Sequence, residues 1–469
     1  MADVLSGTGR SSTTAEPGEL PVENPATGRV FASVAACSTA DLDRVLAAAS
    51  DAYLPWSGWP WERRRACLLE CAEVLSAHSQ ELAETLTREQ GKPLRSALTE
   101  ARLAADWFRH TAELALPDEK LVDTAERSVT ARRVPHGIVA AIAPSNFPLI
   151  LSVAKIAPAL MAGNTVVVKP SEITPLSTVR MVELLSGVLP SGVLQVVVGG
   201  ARLGAALSGH PATRLVSFTG SVETGRAIAG AAAADFKHLV LELGGNDACI
   251  VLPDADLDVV AGQIFQKAMD NSGQFCAAVK RVYVDHARQH ELAEAFGALA
   301  RATRTGDGTD PATDLGPLAS RSQRERVHDL VTEARQGGAR VVTGGAPLDR
   351  PGHFYPPTVV TDLPSGTRLE LVEQFGPVLP VLSYREPAEA VLRANSSEFG
   401  LGGSVWGDEE RARQVAAGLD CGTVWINTHG DLRHDVPFGG FRSSGVGVEY
   451  GYWGLLEYTR IKVLHTVTG

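Results

Sequence analysis

The run Ile138-Val-Ala-Ala-Ile-Ala143 opens the pattern that decides the fold. Short apolar runs return at Thr165–Val168, Val193–Val198, Leu215–Phe218 and His238–Leu241, with helix-like segments near 149–162, 175–187, 201–208 and 222–233 between them. Short runs that are apolar throughout read as strands buried on both faces. Five such strands joined by four helical crossovers predict a parallel sheet with helices on both sides, a doubly wound α/β architecture. Such sheets bind ligands outside the carboxyl ends of their strands, so the residues that follow each run carry the chemical interest.

Downstream, Ala248 to Asn427 reads as a second α/β unit. Its strands are expected near Lys280–Val284, Ala339–Val342, Val378–Ser383 and Gly422–Ile426, with a domain boundary just after Gly245. Upstream, Ser38 and Asp41 form a capping-box pattern that opens a helix over 38–52, and further helices are predicted over 64–77 and 96–115. Lys120–Val134 is polar, rich in Val, Thr and Arg, and closer to period two, so it reads as an exposed hairpin or arm.

Composition sets the outer limits. The chain has 469 residues, enough for two or three domains, and 43 basic against 54 acidic side chains give a net charge of −11. That balance, without a lysine or arginine block, argues against nucleic-acid or anionic-membrane partners. The longest apolar stretch, Phe147–Val168, is broken by Lys155, Pro158 and Asn164, so no membrane span is expected. Residues 1–20 are polar, lack an apolar core and read as a flexible tail rather than a secretory signal. The six cysteines, at 37, 67, 71, 249, 276 and 421, form no C-x-x-C pair and no zinc spacing. A disulfide scaffold and a structural zinc are therefore disfavoured, and a reducing, cytoplasmic location is expected.

G-x-G-x-x-G, the P-loop, H-E-x-x-H and G-x-S-x-G are all absent. Phe218-Thr-Gly-Ser-Val-Glu-Thr-Gly225 places Gly220 and Ser221 where a strand gives way to a helix, whose free N–H groups suit a pyrophosphate; a plain serine N-cap is the alternative. Lys169-Pro-Ser-Glu172 puts an ammonium and a carboxylate at a strand end, able to grip ribose hydroxyls or simply to face solvent. Glu242, between two leucines at the end of a buried run, is a costly place for an unpaired carboxylate; partial burial would ready it for proton abstraction, and pairing with a distant base is the other reading. Cys276 closes Asn271-Ser-Gly-Gln-Phe-Cys276, a polar loop where exposure and backbone N–H groups favour a thiolate, although lone cysteines are usually core filler. Asn146, flanked by Pro144 and Pro148, is fixed as an N–H donor for an oxyanion or as an Asx-turn.

Together these elements resemble the aldehyde dehydrogenase superfamily, from about Asn24 to Tyr458. The order is the family's: P-x-N-F-P at 144–148, K-P-S-E at 169–172, F-T-G-S at 218–221, E-L-G-G at 242–245, G-Q-x-C at 273–276, E-x-F-G-P at 373–377, P-F-G-G at 437–440 and S-G-x-G at 444–447. The resemblance implies oxidation of an aldehyde to the acid with reduction of NAD(P)+. Cys276 would be the nucleophile, Asn146 with the Cys276 N–H the oxyanion donors, and Glu242 the base that activates water against a thioester. It implies that Lys169 and Glu172 hold the adenosine ribose, Ser221 the pyrophosphate, and Glu373 with Phe375 the nicotinamide ribose and ring. Ser145, Ser171, Gly204, Phe218, Gly220, Thr224 and Leu243 would complete the cofactor contacts. NAD is expected over NADP, because a carboxylate at Glu172 repels a 2′-phosphate.

The same resemblance implies a partition: 1–116 with 136–245 as the NAD-binding domain, 246–443 as the catalytic domain, and 117–135 with 444–469 as an oligomerisation arm and C-terminal return, in a homodimer or homotetramer. A CoA-acylating relative and a catalytically silent one are the competing readings. Two departures stand out: Ser145 replaces a tryptophan found in many relatives, and Leu151 and Ala154 are small where some relatives carry an aromatic. Phe275 and Trp107 suggest an apolar substrate lining, while Arg433 or His429 in the polar loop 429–435 offer recognition of an anionic substrate end, unless that loop is merely solvated.

Overall fold

A computed structural model describes residues 18–467. The described residues open with an antiparallel hairpin, β1 (Glu19–Asn24) and β2 (Arg29–Ala35), so the last two residues of the expected tail belong to a strand; residues 1–17 of that tail lie outside the described residues. Helices Thr39–Ser57, Trp61–Ala77, Ser79–Gln90 and Leu94–Glu113 follow, the first capped by Ser38 and Asp41 in the reciprocal arrangement the sequence predicts. A hairpin of β3 (Glu119–Asp123) and β4 (Arg127–Pro135) then projects as a mostly exposed ribbon.

The central sheet contains β5 (Ile138–Ile142), β6 (Thr165–Lys169), β7 (Leu194–Val196), β8 (Thr213–Thr219) and β9 (His238–Glu242), all parallel. Their spatial order is β9-β8-β5-β6-β7. The chain therefore builds outward from β5 to one edge, returns, and builds to the other, leaving a topological switch point between β5 and β8. Register brings Ile142, Lys169 and Phe218 level at one end, with Thr219 beside Glu242. Helix Pro148–Ala162 runs beneath this sheet with every residue except Ile150 buried, as an apolar-all-round helix must be.

The second sheet contains β10 (Ala248–Val251), β11 (Arg281–Asp285), β12 (Arg340–Thr343), β13 (Thr358–Thr361), β14 (Val378–Tyr384), β15 (Gly402–Trp406) and β16 (Thr423–Ile426), in the order β12-β13-β14-β11-β10-β15-β16. Only β12 runs antiparallel to its neighbour. Sequence periodicity finds β11, β12, β14 and β16 but does not separate β10, β13 and β15, which are short and either wholly buried or glycine-led.

The C-terminal segment has two parts. Its first part, β17 (Gly445–Val446), pairs antiparallel with β9, and helix Gly451–Glu457 packs on the buried helix, so both join the first sheet's layer. Only β18 (Thr459–Val467) extends the ribbon, pairing with β4 along its whole length to give the order β18-β4-β3.

Candidate active site

The site forms where the carboxyl ends of the first sheet face the loop after helix Leu257–Met269. Asn146 follows β5 and is 4% exposed. Its side-chain amide donates to the Gln274 carbonyl at 3.0 Å, and its own carbonyl accepts from Lys92 Nζ at 2.7 Å and Asn271 Nδ2 at 3.0 Å. Lys92 also pairs with Glu100 at 2.5 Å, and Glu100 accepts the N–H groups of Leu149 and Ile150 at the start of the buried helix. A buried ion pair thus supplies the cap that helix lacks locally and fixes Asn146 at the same time. Neither Lys92 nor Glu100 is singled out by sequence reading, because their partners lie up to 54 residues away.

Cys276 arrives through a left-handed turn: Asn271, Ser272 and Gly273 have φ of +49°, +58° and +70°. Non-glycine residues held there carry strain, and the surroundings over-determine the turn. Ser272 Oγ donates to the Gly316 carbonyl at 2.9 Å, Gln274 Nε2 to the Asn271 carbonyl at 3.0 Å, and Lys280 Nζ to the Gly273 carbonyl at 2.8 Å. Cys276 is half-buried and lines the crevice. Burial nevertheless pushes its thiol well up, with the carboxylates of Glu373, Glu242 and Asp247 adding to the rise and Lys280 opposing it. The expected bias toward thiolate is therefore corrected: this environment holds the resting thiol protonated.

Glu242 ends β9 and is 4% exposed, with one carboxylate oxygen unpartnered. Burial, then the neighbouring Glu449 carboxylate, raise its pKa well above the ordinary range, and Lys155 offsets part of that. Lys155 reaches from the buried helix to bond Glu449 and, at 2.7 Å, Thr219 Oγ1, while Tyr458 donates to Ser217 at 3.0 Å on the other side of Glu449. A carboxyl buried beside a second carboxylate ionises reluctantly, so Glu242 keeps its proton above the ordinary carboxylate range.

A crevice of roughly 1250 Å³ opens at the switch point, lined by Ser145, Asn146, Gly220, Ser221, Leu243, Gly244, Cys276, Glu373 and Phe375. Eight residues read from the sequence as site residues thus share one wall or another of it. Ser221 is an N-cap, accepting from the Thr224 N–H at 3.3 Å, and it leaves the rest of that helix start facing the crevice through Val222 and Glu223. Lys169, Glu172 and Gly204 gather at the end of β6: Lys169 lies 3.8 Å from Glu172, and a Cβ on Gly204 would stand 3.4 Å from the Lys169 side chain. Two residues point elsewhere. Ser171 Oγ accepts from Ile173 N–H in a local turn, and Phe218 is a core residue whose ring fills the space a Cβ on Gly220 would need.

These residues fit a dinucleotide. A Cβ on Gly244 would fall 2.6 Å from Glu373 Oε2, so only glycine leaves that wall open, and a helix start and an ammonium–carboxylate pair stand at the ends of β8 and β6, on either side of β5. On the other side of Cys276 the walls are aromatic. Phe147 meets Phe275 edge-on with centroids 5.3 Å apart, Trp107 meets Tyr450 at 5.2 Å, and Tyr450 stacks on Phe438 at 6.1 Å. Anionic recognition by the 429–435 loop is not what the geometry offers. His429 is fully buried, bonded to Ser404 and the Ala277 carbonyl, and pushed down to about 3 by desolvation. Arg433 is committed to both oxygens of Asp435.

Comparison with known proteins agrees with this geometry. A sequence model of the Aldehyde dehydrogenase family matches residues 12–464. The chain is 37% identical to the glutarate-semialdehyde dehydrogenase of Pseudomonas putida over 453 residues, covering 95% of this chain and 94% of that one. It superposes on the crystal structure of a Staphylococcus aureus betaine aldehyde dehydrogenase in complex with NAD+ with a TM-score of 0.93, at 33% identity, over 96% of this chain and 92% of that one. An E. coli NADP-dependent enzyme matches with the same TM-score of 0.93, at 34% identity, over 96% and 95% of the two chains. The protein therefore belongs to the aldehyde dehydrogenase family and oxidises aldehydes with NAD(P)+.

Proposed function

We propose a hydrolytic, NAD-preferring aldehyde dehydrogenase in which Cys276 is the nucleophile, Asn146 the oxyanion donor and Glu242 the base. The observation that carries this reading is that Asn146 and Cys276 line one crevice, Asn146 is bonded to the nucleophile's own loop, and the Glu242 carboxylate is near enough to act on the sulfur's charge. The Cys276 thiol gives up its proton to solvent and the sulfur attacks the aldehyde carbon. One N–H of the Asn146 amide is spent on Gln274; the other, with the Cys276 N–H, stabilises the developing oxyanion. A nicotinamide held against Glu373 and Phe375 would supply the hydride acceptor that turns the cysteine adduct into a thioester. Glu242 then takes a proton from water, the hydroxide adds to the thioester carbon, and the C–S bond breaks to release acid and thiol.

Lys169 and Glu172 hold the adenosine ribose, the start of helix Val222–Ala232 the pyrophosphate, and Glu373 with Phe375 the nicotinamide end. Glu172 is the support for NAD over NADP, since its carboxylate would meet a 2′-phosphate. Aromatic walls and an arginine already paired favour an apolar aliphatic or aromatic aldehyde over an ω-carboxy one. The edge strands β18 and β3, with Ile461, Val463 and Leu121 exposed, support strand pairing between subunits of a dimer or tetramer. Six free thiols suit a reducing compartment, the cytoplasm.

An aldehyde panel read by NADH absorbance, with and without CoA, tests this reading. Acid as the product, independent of CoA, supports it, whereas an acyl-CoA product replaces water with CoA as the acceptor. Cys276→Ala should abolish NADH formation while NAD binding, followed by calorimetry, stays within about twofold, since a deleted nucleophile removes chemistry and not cofactor contacts.

A further inference from the structure

Lys280 is 1% exposed beside the Glu373 wall; burial pulls its pKa down and the facing Glu373 carboxylate pulls it back up. Its ammonium donates to the Gly273 carbonyl at 2.8 Å, stands 4.0 Å from Glu373 Oε1, and lies 5.1 Å from the centre of the Phe375 ring. Gly273 is the third residue of the left-handed turn that delivers Cys276, and a Cβ there would fall 2.2 Å from the Gly376 carbonyl oxygen. Glu373 and Phe375 form the facing wall. One cation therefore joins the nucleophile loop to the cofactor wall, its burial tolerated because both partners satisfy it.

The charges around Cys276 make that use specific. Glu373 faces it from the 372–377 loop, Glu242 from the end of β9 and Asp247 from the start of β10. Tyr450 lies beside it before the last helix, and His429, behind Ala277, is neutral. Glu449 is already bonded to Lys155. Three carboxylates against one ammonium leave Lys280 as the positive charge acting on the sulfur.

We propose that Lys280 is a positioning residue for the nucleophile: by holding the Gly273 carbonyl and facing Glu373, it fixes the turn that aims Cys276 and supplies the counter-charge for its thiolate. This rests on Cys276 being the nucleophile, yet it can be tested without any aldehyde. The purified full-length enzyme is alkylated with iodoacetamide across pH 6–10, with Cys276→Ala as the control for the other thiols. Lys280→Met should move the profile up by about one unit, slowing alkylation at pH 8 about tenfold. Lys280→Gln, which keeps a donor for Gly273 but no charge, should shift it likewise and serves if the methionine variant does not fold. Lys280→Arg should return most of the rate. Profiles of the Met and Gln variants that superpose on the wild type, with only the melting temperature changed, would overturn the proposal. So would a shift in Met but not in Gln, which would assign the effect to the hydrogen bond alone. If instead the fast-reacting thiol survives in Cys276→Ala, it is the nucleophile assignment that fails.

Discussion

The side-chain amide of Asn146 donates to the Gln274 carbonyl at 3.0 Å, so the residue that follows the first strand of the first sheet is bonded to the loop that ends in Cys276. Donor and nucleophile come from separate sheets and share one rigid joint, which is how a charge-stabilising group is preorganised. Asn146→Ala should lower kcat about 100-fold or more, with little change in NAD affinity. Stopped-flow NADH formation beside calorimetric NAD binding checks it; an equal loss in both would assign Asn146 to cofactor binding.

Glu242 must shed a proton before it can take one. Its raised pKa therefore makes wild-type turnover climb with pH to a plateau reached above the ordinary carboxylate range, the limb marking deprotonation of Glu242. Glu242→Gln should keep a first-turnover burst of NADH while steady-state turnover drops about 100-fold or more, and the pH limb should vanish. Loss of the burst along with the steady state would place Glu242 before hydride transfer instead of after it.

Lys92 and Glu100 are buried together behind Asn146, so removing one strands the other's charge. Lys92→Met is expected to destabilise the fold by about 3–5 kcal/mol. The double variant with Glu100→Gln should cost less than the sum of the two single changes, because neither charge is then left alone. Chemical denaturation of the four proteins closes that cycle.

His429 is held neutral in the fold, pushed down from an ordinary 6.5 to about 3. Below about pH 6.5 the unfolded chain binds a proton there that the native chain does not, so this site's contribution to stability is complete above 6.5 and is lost as pH falls toward 3. Melting temperatures measured across that range should decline less steeply for His429→Asn than for the wild type.

Much of this was legible in the sequence, and the reasons are local. The strands of the first sheet are short, largely apolar runs, the first four each followed by a helix, and the chemical groups sit at the strand's end or up to four residues past it, as Lys169, Gly220, Ser221 and Asn146 do. Cys276 and Glu242 stood out because a thiol in a polar loop and a carboxylate in a buried strand are locally anomalous. What stayed hidden depends on partners far along the chain. Lys92, Glu100 and Lys280 look like ordinary surface charges until the fold brings them against Asn146, the buried helix and Gly273. His429 misleads for the same reason: a polar loop suggests exposure, whereas its ring is the piece of that loop packed inward against Ser404. The short strand β17 escapes periodicity altogether, because two residues carry no period.

Glu172 is half exposed and 3.8 Å from Lys169, a position where it can choose between cofactors without supporting the core. Glu172→Gln should raise kcat/KM with NADP relative to NAD by about tenfold, the worth of one unfavourable charge contact removed. An unchanged ratio would mean the carboxylate points away from the ribose.

The central claim is that substrate carbon becomes covalently bound to one sulfur. Glu242→Gln, mixed with NAD+ and an accepted aldehyde and quenched in acid within one turnover, should yield a Cys276 peptide heavier by the acyl group, an adduct absent without NAD+. Unmodified Cys276 in a sample that has produced stoichiometric NADH would contradict the account.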